Sequence, residues 1–103
     1  MNKFILGGVL FALSAAAQAD AAAGKLRAAT ACAVCHGPQG LSTQPNAPHL
    51  AGQPEIYLVE QLRNYRSGKR PHEVMGVIAK TLSNQDIDDL AQWYASIPLR
   101  VGD

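Results

Sequence analysis

The chain has 103 residues, with 9 Lys and Arg, 8 Asp and Glu and 2 Cys, which is enough for one small domain. Its formal net charge of +1 argues against a nucleic-acid-binding protein, which would carry a clustered basic excess. With 48% hydrophobic and 17% charged residues, the composition also argues against a disordered chain.

The first 19 residues have the pattern of a secretory signal peptide. Lys3 supplies a positive charge, residues 4–17 form an uncharged and mostly apolar run, and the motif AQA at 17–19 is of the kind that signal peptidase recognises. A membrane anchor is the alternative reading, but a helix of that length would span about 21 Å, short of the ~30 Å hydrocarbon core. We therefore expect cleavage after residue 19, no stable membrane insertion, and a single domain of residues 20–103 outside the cytoplasm.

The first half of the remaining chain contains a helix, a loop and a second helix. Residues 21–31 are good helix formers, interrupted by Gly24. Residues 37–53 are dense in Gly, Pro, Ser and Asn, which predicts a loop. A second helix is predicted to begin at Pro54, because apolar residues then recur at helical spacing, and to end at Gly68.

The final helix is the clearest element. Ser83 and Asp86 form a pair that resembles a capping box at its start, and Pro98 stops it. Its apolar side chains follow the i, i+3, i+4, i+7 register at Ile87, Leu90, Ala91, Tyr94 and Ile97. The same register places Asp88, Asp89 and Gln92 on the solvent-exposed face. No sustained alternating β-branched run occurs, so the predicted fold class is all-α.

The segment Cys32-Ala33-Val34-Cys35-His36 is a C-x-x-C-H sequence, the attachment pattern of c-type haem. Two intervening residues let both thiols reach the two vinyl groups of a porphyrin from one helical turn. The imidazole of His36 then lies where it can bind the iron. A bound cofactor would also help to stabilise a chain of this size, which has few large aromatic residues for its core.

Three other uses of the cysteine pair compete with haem attachment. A thioredoxin-like redox pair would lie beside a βαβ pattern, which the sequence lacks. A structural zinc site needs four ligands, and beyond the motif the candidates are His49 and His72. A disulfide between Cys32 and Cys35 would close too short a loop to stabilise the chain much. We therefore predict one covalent haem, bound through both cysteines.

Met75 is the candidate for the second axial ligand of the iron. It is the only methionine within residues 20–103, and it lies between the second and the final helix, where the chain can fold over the other haem face. A thioether ligand stabilises Fe(II) and raises the reduction potential. Such ligation favours electron transfer over oxygen chemistry. The alternatives are that Met75 fills a gap in the core, or that His49 or His72 binds the iron instead.

The second ring nitrogen of His36 needs an acceptor, because metal-bound imidazoles nearly always donate their other N–H group. A backbone carbonyl within residues 46–50 is the candidate, with Pro48 first. An apolar wall around the haem would exclude water and raise the potential. The expected members of this wall are Leu50, Leu58, Leu62, Ile78, Leu82, Leu90 and Trp93.

Over residues 20–98 the sequence resembles a class I cytochrome c, and within that family the bacterial group of cytochrome c553 and the single-haem halves of cytochrome c4. The resemblance is carried by Gly24, CAVCHG at 32–37, NAPHLAGQ at 46–53, and spaced residues within 57–62 and 75–91. It implies three to four helices around one covalently attached haem c. It also implies thioether bonds at Cys32 and Cys35, iron ligation by His36 and Met75, and a hydrogen bond from His36 to the Pro48 carbonyl. Gly24 would lie where the first and last helices cross.

The resemblance further implies a periplasmic one-electron carrier rather than an enzyme. Its partners would be redox proteins such as a dehydrogenase, a cytochrome complex or a terminal oxidase, and the protein would be a monomer or a weak dimer. One alternative is a haem subunit held permanently in a dehydrogenase such as a flavocytochrome c sulfide dehydrogenase, which residues 74–80 also resemble. A ligand-binding haem sensor is the other alternative.

Two charge clusters are relevant to docking. The basic cluster consists of Arg63, Arg66, Lys69 and Arg70, and the acidic cluster consists of Asp86, Asp88 and Asp89. Either both are ordinary solvated surfaces, or the basic cluster steers an acidic redox partner at low ionic strength.

Overall fold

A computed structural model describes residues 18–100, so most of the predicted signal peptide lies outside the described residues. Within them the chain forms five helical segments and no strand, namely α1 (Ala21–Ala31), α2 (Ala33–His36), α3 (Glu55–Ser67), α4 (Glu73–Lys80) and α5 (Asn84–Ser96). Because α2 is a single turn, four helices are longer than one turn, and the all-α prediction is confirmed. No helix in this part of the chain has the length and apolar character needed to cross a membrane.

The helix ends are fixed by local hydrogen bonds. At the start of α1, the Asp20 carboxylate accepts two backbone N–H groups of the first turn, at 2.9 and 3.2 Å. At the start of α5, Ser83 and Asp86 each accept the backbone N–H group of the other at 3.0 Å. The Ser83 N–H group is the main reason why the pKa of Asp86 lies below its usual value. Gly68 ends α3 in the left-handed region, with φ of 85°. The predicted capping pair and the predicted end at Gly68 are therefore confirmed.

The hydrophobic core lies between α1, α3 and α5. Its buried side chains are Ala28, Leu58, Leu82, Ile87, Leu90, Ala91 and Tyr94. Four of these come from the register predicted for the final helix, in which Ile87 and Leu90 are fully buried. The periodicity of α5 therefore identifies its buried face correctly.

The first and last helices cross at Gly24. A Cβ atom built on this glycine would collide with the backbone carbonyl of Asp89 and would approach the Cβ atom of Trp93 to 3.0 Å. The ammonium group of Lys25, the next residue of α1, lies 5.4 Å from the centre of the Trp93 ring. Glycine is therefore required here by the close approach of two backbones.

The prediction that Asp89 lies on the exposed face of α5 is wrong. Its side chain is buried, and its Oδ1 atom accepts the backbone N–H group of Asp20 at 2.8 Å and the amide of Gln85 at 2.7 Å. The start of α1 covers this side of α5, which the periodicity of α5 alone does not reveal. Asp88 and Gln92, predicted on the same face, are partly exposed.

We expect Gly24→Ala to lower the free energy of unfolding by about 1–3 kcal/mol, because the new methyl group must displace the Asp89 backbone. The matched control is Gly76→Ala within α4, where an added Cβ atom meets nothing within 4 Å. The control should be neutral or more stable by about 0.5–1 kcal/mol. Chemical denaturation of both variants measures the difference, and equal effects would contradict the proposed helix contact.

Candidate cofactor site

A cavity of about 400 Å³ lies between the C-x-x-C-H turn and α4. Its walls come from α2, the loop before α3, and the inner faces of α3, α4 and α5. The site residues predicted from the sequence all line it, namely Cys32, Cys35, His36, Pro48 and Met75. The fold therefore brings together residues that are up to 43 positions apart in the chain.

Cys32 and Cys35 lie at the cavity on the single turn that follows α1. The backbone N–H group of Cys32 still bonds to the Ala28 carbonyl at 2.9 Å, so the pair continues from α1. Both thiols are free. Burial raises the pKa of the Cys32 thiol, which keeps it neutral. The pair is therefore not joined in a disulfide, and both sulfur atoms are available for other bonds.

His36 is buried, with 8% of its surface exposed, and its Nδ1 atom lies 2.8 Å from the carbonyl oxygen of Pro48. A carbonyl oxygen can only accept a hydrogen bond, so this contact assigns the ring proton to Nδ1. The Nε2 atom then keeps its lone pair and is able to bind a metal. The contact expected between His36 and Pro48 is present.

The other two histidines have the opposite hydrogen-bonding role. The Nδ1 atom of His49 accepts the backbone N–H group of Ser42 at 2.8 Å. The Nδ1 atom of His72 accepts two backbone N–H groups from the first turn of α4, at 3.1 and 3.2 Å. An accepting Nδ1 places the ring proton on Nε2, which leaves no lone pair there for iron. His49 and His72 are thus poorer candidates than His36 for ligation.

Met75 lies in the first turn of α4, a helix that we did not predict from the sequence. The side chain is half-buried and lines the cavity from the α4 side. α4 packs against α3, with Ala79 fully buried, so the position of Met75 is fixed by a packed helix rather than by a loop.

The apolar wall is partly as predicted. The expected residues that do line the cavity are Leu50, Leu58, Leu62, Ile78 and Leu90. Leu82 instead belongs to the buried core, and Trp93 packs against α1, so the prediction for these two residues is wrong.

Sequence reasoning missed several polar and aromatic residues of the cavity. They include Tyr57, Gln61, Tyr65, Arg70 and Tyr94. The first three recur every four residues along α3 and could have been recognised by that spacing. Arg70 could not, because its guanidinium reaches the cavity only through its contacts with α3, 4.7 Å above the Tyr65 ring and 2.7 Å from Gln61 Oε1.

The cavity lining fits a haem. It is largely apolar, and it presents two free thiols, an imidazole with an available nitrogen and a thioether. The buried hydroxyl group of Tyr94 has no hydrogen-bond partner among the described residues. The pKa of this phenol lies well above its usual value, mainly because the group is buried and to a smaller extent because the Cys32 thiol is next to it. Arg70 is a cation at the cavity and could balance the carboxylate charge of a haem.

A bare metal site has no comparable support. Within residues 18–100, no group of three or more His, Cys, Asp or Glu side chains converges as a metal site would require.

The two charge clusters are linked by one contact. Arg63 lies 3.9 Å from the carboxylate of Asp88, and Arg66 donates to the side chain of Asn84 at 2.6 Å. Arg70 turns toward the cavity. Much of the basic cluster is therefore engaged within the protein, which leaves less charge for steering a partner.

Comparison with known proteins gives concordant results. The family model for cytochrome c matches residues 21–97. Cytochrome c4 of Pseudomonas aeruginosa is 43% identical over 105 residues, which cover 99% of this chain and 52% of that protein. The thiosulfate dehydrogenase electron acceptor of Thiomonas intermedia is 39% identical over 98 residues, covering 94% of this chain and 45% of that protein.

A solved structure of Acidithiobacillus ferrooxidans cytochrome c4 superposes with a TM-score of 0.73 at 32% sequence identity. The match covers 78% of this chain and 51% of that one. The chain thus spans about half the length of the curated relatives that it matches.

Proposed function

The chain belongs to the cytochrome c family and has the class I cytochrome c fold, and we propose that it is a periplasmic one-electron carrier with one covalent haem c. The observation that carries this proposal is the cavity that the C-x-x-C-H turn and Met75 share. The orientation of His36, with its Nε2 atom free, supports the same conclusion.

Different lining residues would hold the haem in different ways. The Cys32 and Cys35 thiols would form the thioether bonds, while His36 Nε2 and Met75 Sδ would bind the iron. The Pro48 carbonyl keeps the His36 ring in one orientation and makes it a more basic ligand. When bound, the haem would supply an Fe(III)/Fe(II) couple. Because side chains of the fold would supply both iron ligands, little would need to move during electron transfer.

The function is electron transfer rather than catalysis, and we assign no catalytic residue. One relative is named as the electron acceptor of thiosulfate dehydrogenase, which supports the proposal that a redox enzyme delivers electrons to this chain. The similarities do not favour the flavocytochrome c subunit or the haem sensor.

Docking is proposed at the rim of the cavity. Val34 is 82% exposed and Val74 is 52% exposed, and both line the cavity. Exposed valines around a redox site allow a partner to approach closely by a brief apolar contact, because there is little charge to desolvate. The partner would therefore be a redox protein with an apolar surface around its own cofactor.

Export is proposed to end with cleavage after Ala19. In the uncleaved chain, the backbone N–H group of Asp20 already bonds to the buried carboxylate of Asp89 at 2.8 Å. Cleavage would turn that N–H group into a charged ammonium group at the same place. An ammonium at a helix start is opposed by the helix dipole, so the nearby carboxylates of Asp20 and Asp89 would be needed to offset it.

We expect the wild-type protein, produced with haem-attachment machinery, to carry one covalent low-spin haem whose reduced form binds CO only slowly. Met75→Ala should lose the thioether–iron absorption and bind CO, because the sixth position of the iron would be open. The matched control is Val77→Ala, since Val77 lies on the same helix but is 67% exposed and outside the cavity. Absorption spectra check this, and a protein without covalent haem would overturn the proposed function.

We expect Val34→Glu to slow electron exchange with a redox partner about tenfold, because a charge must then be desolvated at the docking surface. Ile56→Glu is the matched control, because Ile56 is also 82% exposed but does not line the cavity. Stopped-flow kinetics at two salt concentrations measure both variants. Equal slowing by both variants would rule out the proposed docking surface.

We expect the exported protein to begin at Asp20, as its mass would show. A form that retains Gln18 and Ala19 keeps the hydrogen bond from the Gln85 amide to the Gln18 carbonyl at 2.9 Å but lacks the ammonium–carboxylate pair. It should melt about 4–8 °C lower, because the charged pair contributes more than one neutral hydrogen bond. In the Asp89→Asn variant, the melting temperatures of the cleaved form and the form that retains Gln18 and Ala19 should differ much less. An unchanged difference in Asp89→Asn would show that the buried carboxylate does not recognise the new terminus.

A further inference from the structure

We propose that His72 is a positioning residue for Met75, which it holds by capping the helix that carries the sulfur atom. The proposal rests on the function proposed above, in which Met75 binds the haem iron. From the sequence, His72 is only a candidate ligand, either of iron or of zinc. Its hydrogen bonds assign it a third role.

The geometry at the start of α4 is that of a helix N-cap. His72 has an extended backbone, with φ of −162° and ψ of 130°. Its Nδ1 atom accepts the backbone N–H groups of Val74 at 3.2 Å and of Met75 at 3.1 Å. These groups belong to the first turn and have no partner within the helix. One imidazole nitrogen therefore holds the backbone of the proposed ligand directly.

The cap matters more for α4 than for a long helix. α4 has 8 residues, so few internal hydrogen bonds stabilise it. Met75 lies in its first turn, which is where a short helix frays. Loss of the cap would therefore allow the backbone of Met75 to leave its position without unfolding the rest of the chain.

The His72 ring is itself held against α3. It meets the Tyr65 ring edge-on, with the ring centres 5.9 Å apart and the planes at 77°. The Arg70 guanidinium lies over the Tyr65 ring at 4.7 Å from the ring centre and donates to Gln61 Oε1 at 2.7 Å. A line of contacts thus runs from α3 through Tyr65 and His72 to Met75.

The hydrogen bond and the ring contact can be separated by substitution. In His72→Asn, the side-chain oxygen occupies nearly the position of Nδ1, so the cap is kept and the ring is lost. In His72→Phe, the ring remains against Tyr65 but no acceptor is present. His72→Ala removes both. If capping positions Met75, the Asn variant should resemble the wild type and the Phe variant should resemble the Ala variant.

A general loss of stability must be distinguished from a local effect on Met75. Ser83→Ala provides the matched control, because Ser83 caps α5 with a hydrogen bond of 3.0 Å to Asp86 N–H, and α5 carries no proposed iron ligand. Both cap deletions should lower the denaturation midpoint. Only the loss of the α4 cap should weaken the binding of Met75 to the iron.

The experiment measures the thioether–iron absorption of the oxidised protein, the reduction potential, and CO binding to the reduced protein, on haem-loaded samples under folding conditions. CO can bind only when Met75 has left the iron, so its rate reports the population of that state. We expect about fivefold faster CO binding in His72→Ala and His72→Phe, the usual effect of losing one cap. His72→Asn and Ser83→Ala should remain within about twofold of wild type.

The outcomes separate this inference from the proposed function. If Met75→Ala leaves the spectrum unchanged, the proposed ligation fails and this inference fails with it. If Met75→Ala loses the thioether signal while His72→Ala and His72→Phe match the wild type, Met75 ligation stands and the role of His72 is refuted. The role is also refuted if His72→Phe restores wild-type behaviour, or if Ser83→Ala has as large an effect on CO binding as His72→Ala.

Discussion

The hydrogen bond between His36 Nδ1 and the Pro48 carbonyl is the interaction on which the site depends. It assigns the ring proton to Nδ1, and so leaves a lone pair on Nε2 of a ring that lines the cavity. It also ties the C-x-x-C-H turn to a loop that has no regular structure of its own. That loop is held in turn to the last helix, because the Gly52 N–H group donates to the Tyr94 carbonyl at 2.8 Å. The orientation of one imidazole is thus supported by the packing of the terminal helices.

Features encoded by neighbouring residues were predictable from the sequence. The start of α5 follows from Ser83 and Asp86, because a capping box is formed by residues three positions apart. The buried face of α5 follows from its periodicity, and the end of α3 from Gly68, whose positive φ suits glycine. The contact between His36 and Pro48 is different, because those residues are 12 positions apart. Resemblance to a known family suggested it, and local propensity would not have done so.

Features that depend on distant parts of the chain were missed. The polar character of its helix position predicts an exposed Asp89, whereas the start of α1, 69 positions earlier, covers it. The sequence predicts Trp93 in the cavity wall, but Trp93 lies at the helix crossing, where α1 approaches closely at Gly24. α4 was missed for a local reason as well. Its cap is His72, which is outside the usual set of N-cap residues, and the helix is short and contains Gly76.

The two sides of the cavity are held in place with unequal strength. The His36 side continues from α1, is fixed by the Pro48 carbonyl, and would be tied to the haem by two thioether bonds. The Met75 side rests on a short helix, one imidazole cap and packing against α3. A change in ligation should therefore begin at Met75 rather than at His36. Because thioether ligation is what favours Fe(II), the contacts that hold α4 would control both the reduction potential and the exclusion of outside ligands. How firmly this short helix is held would therefore decide whether the proposed haem stays closed to outside ligands.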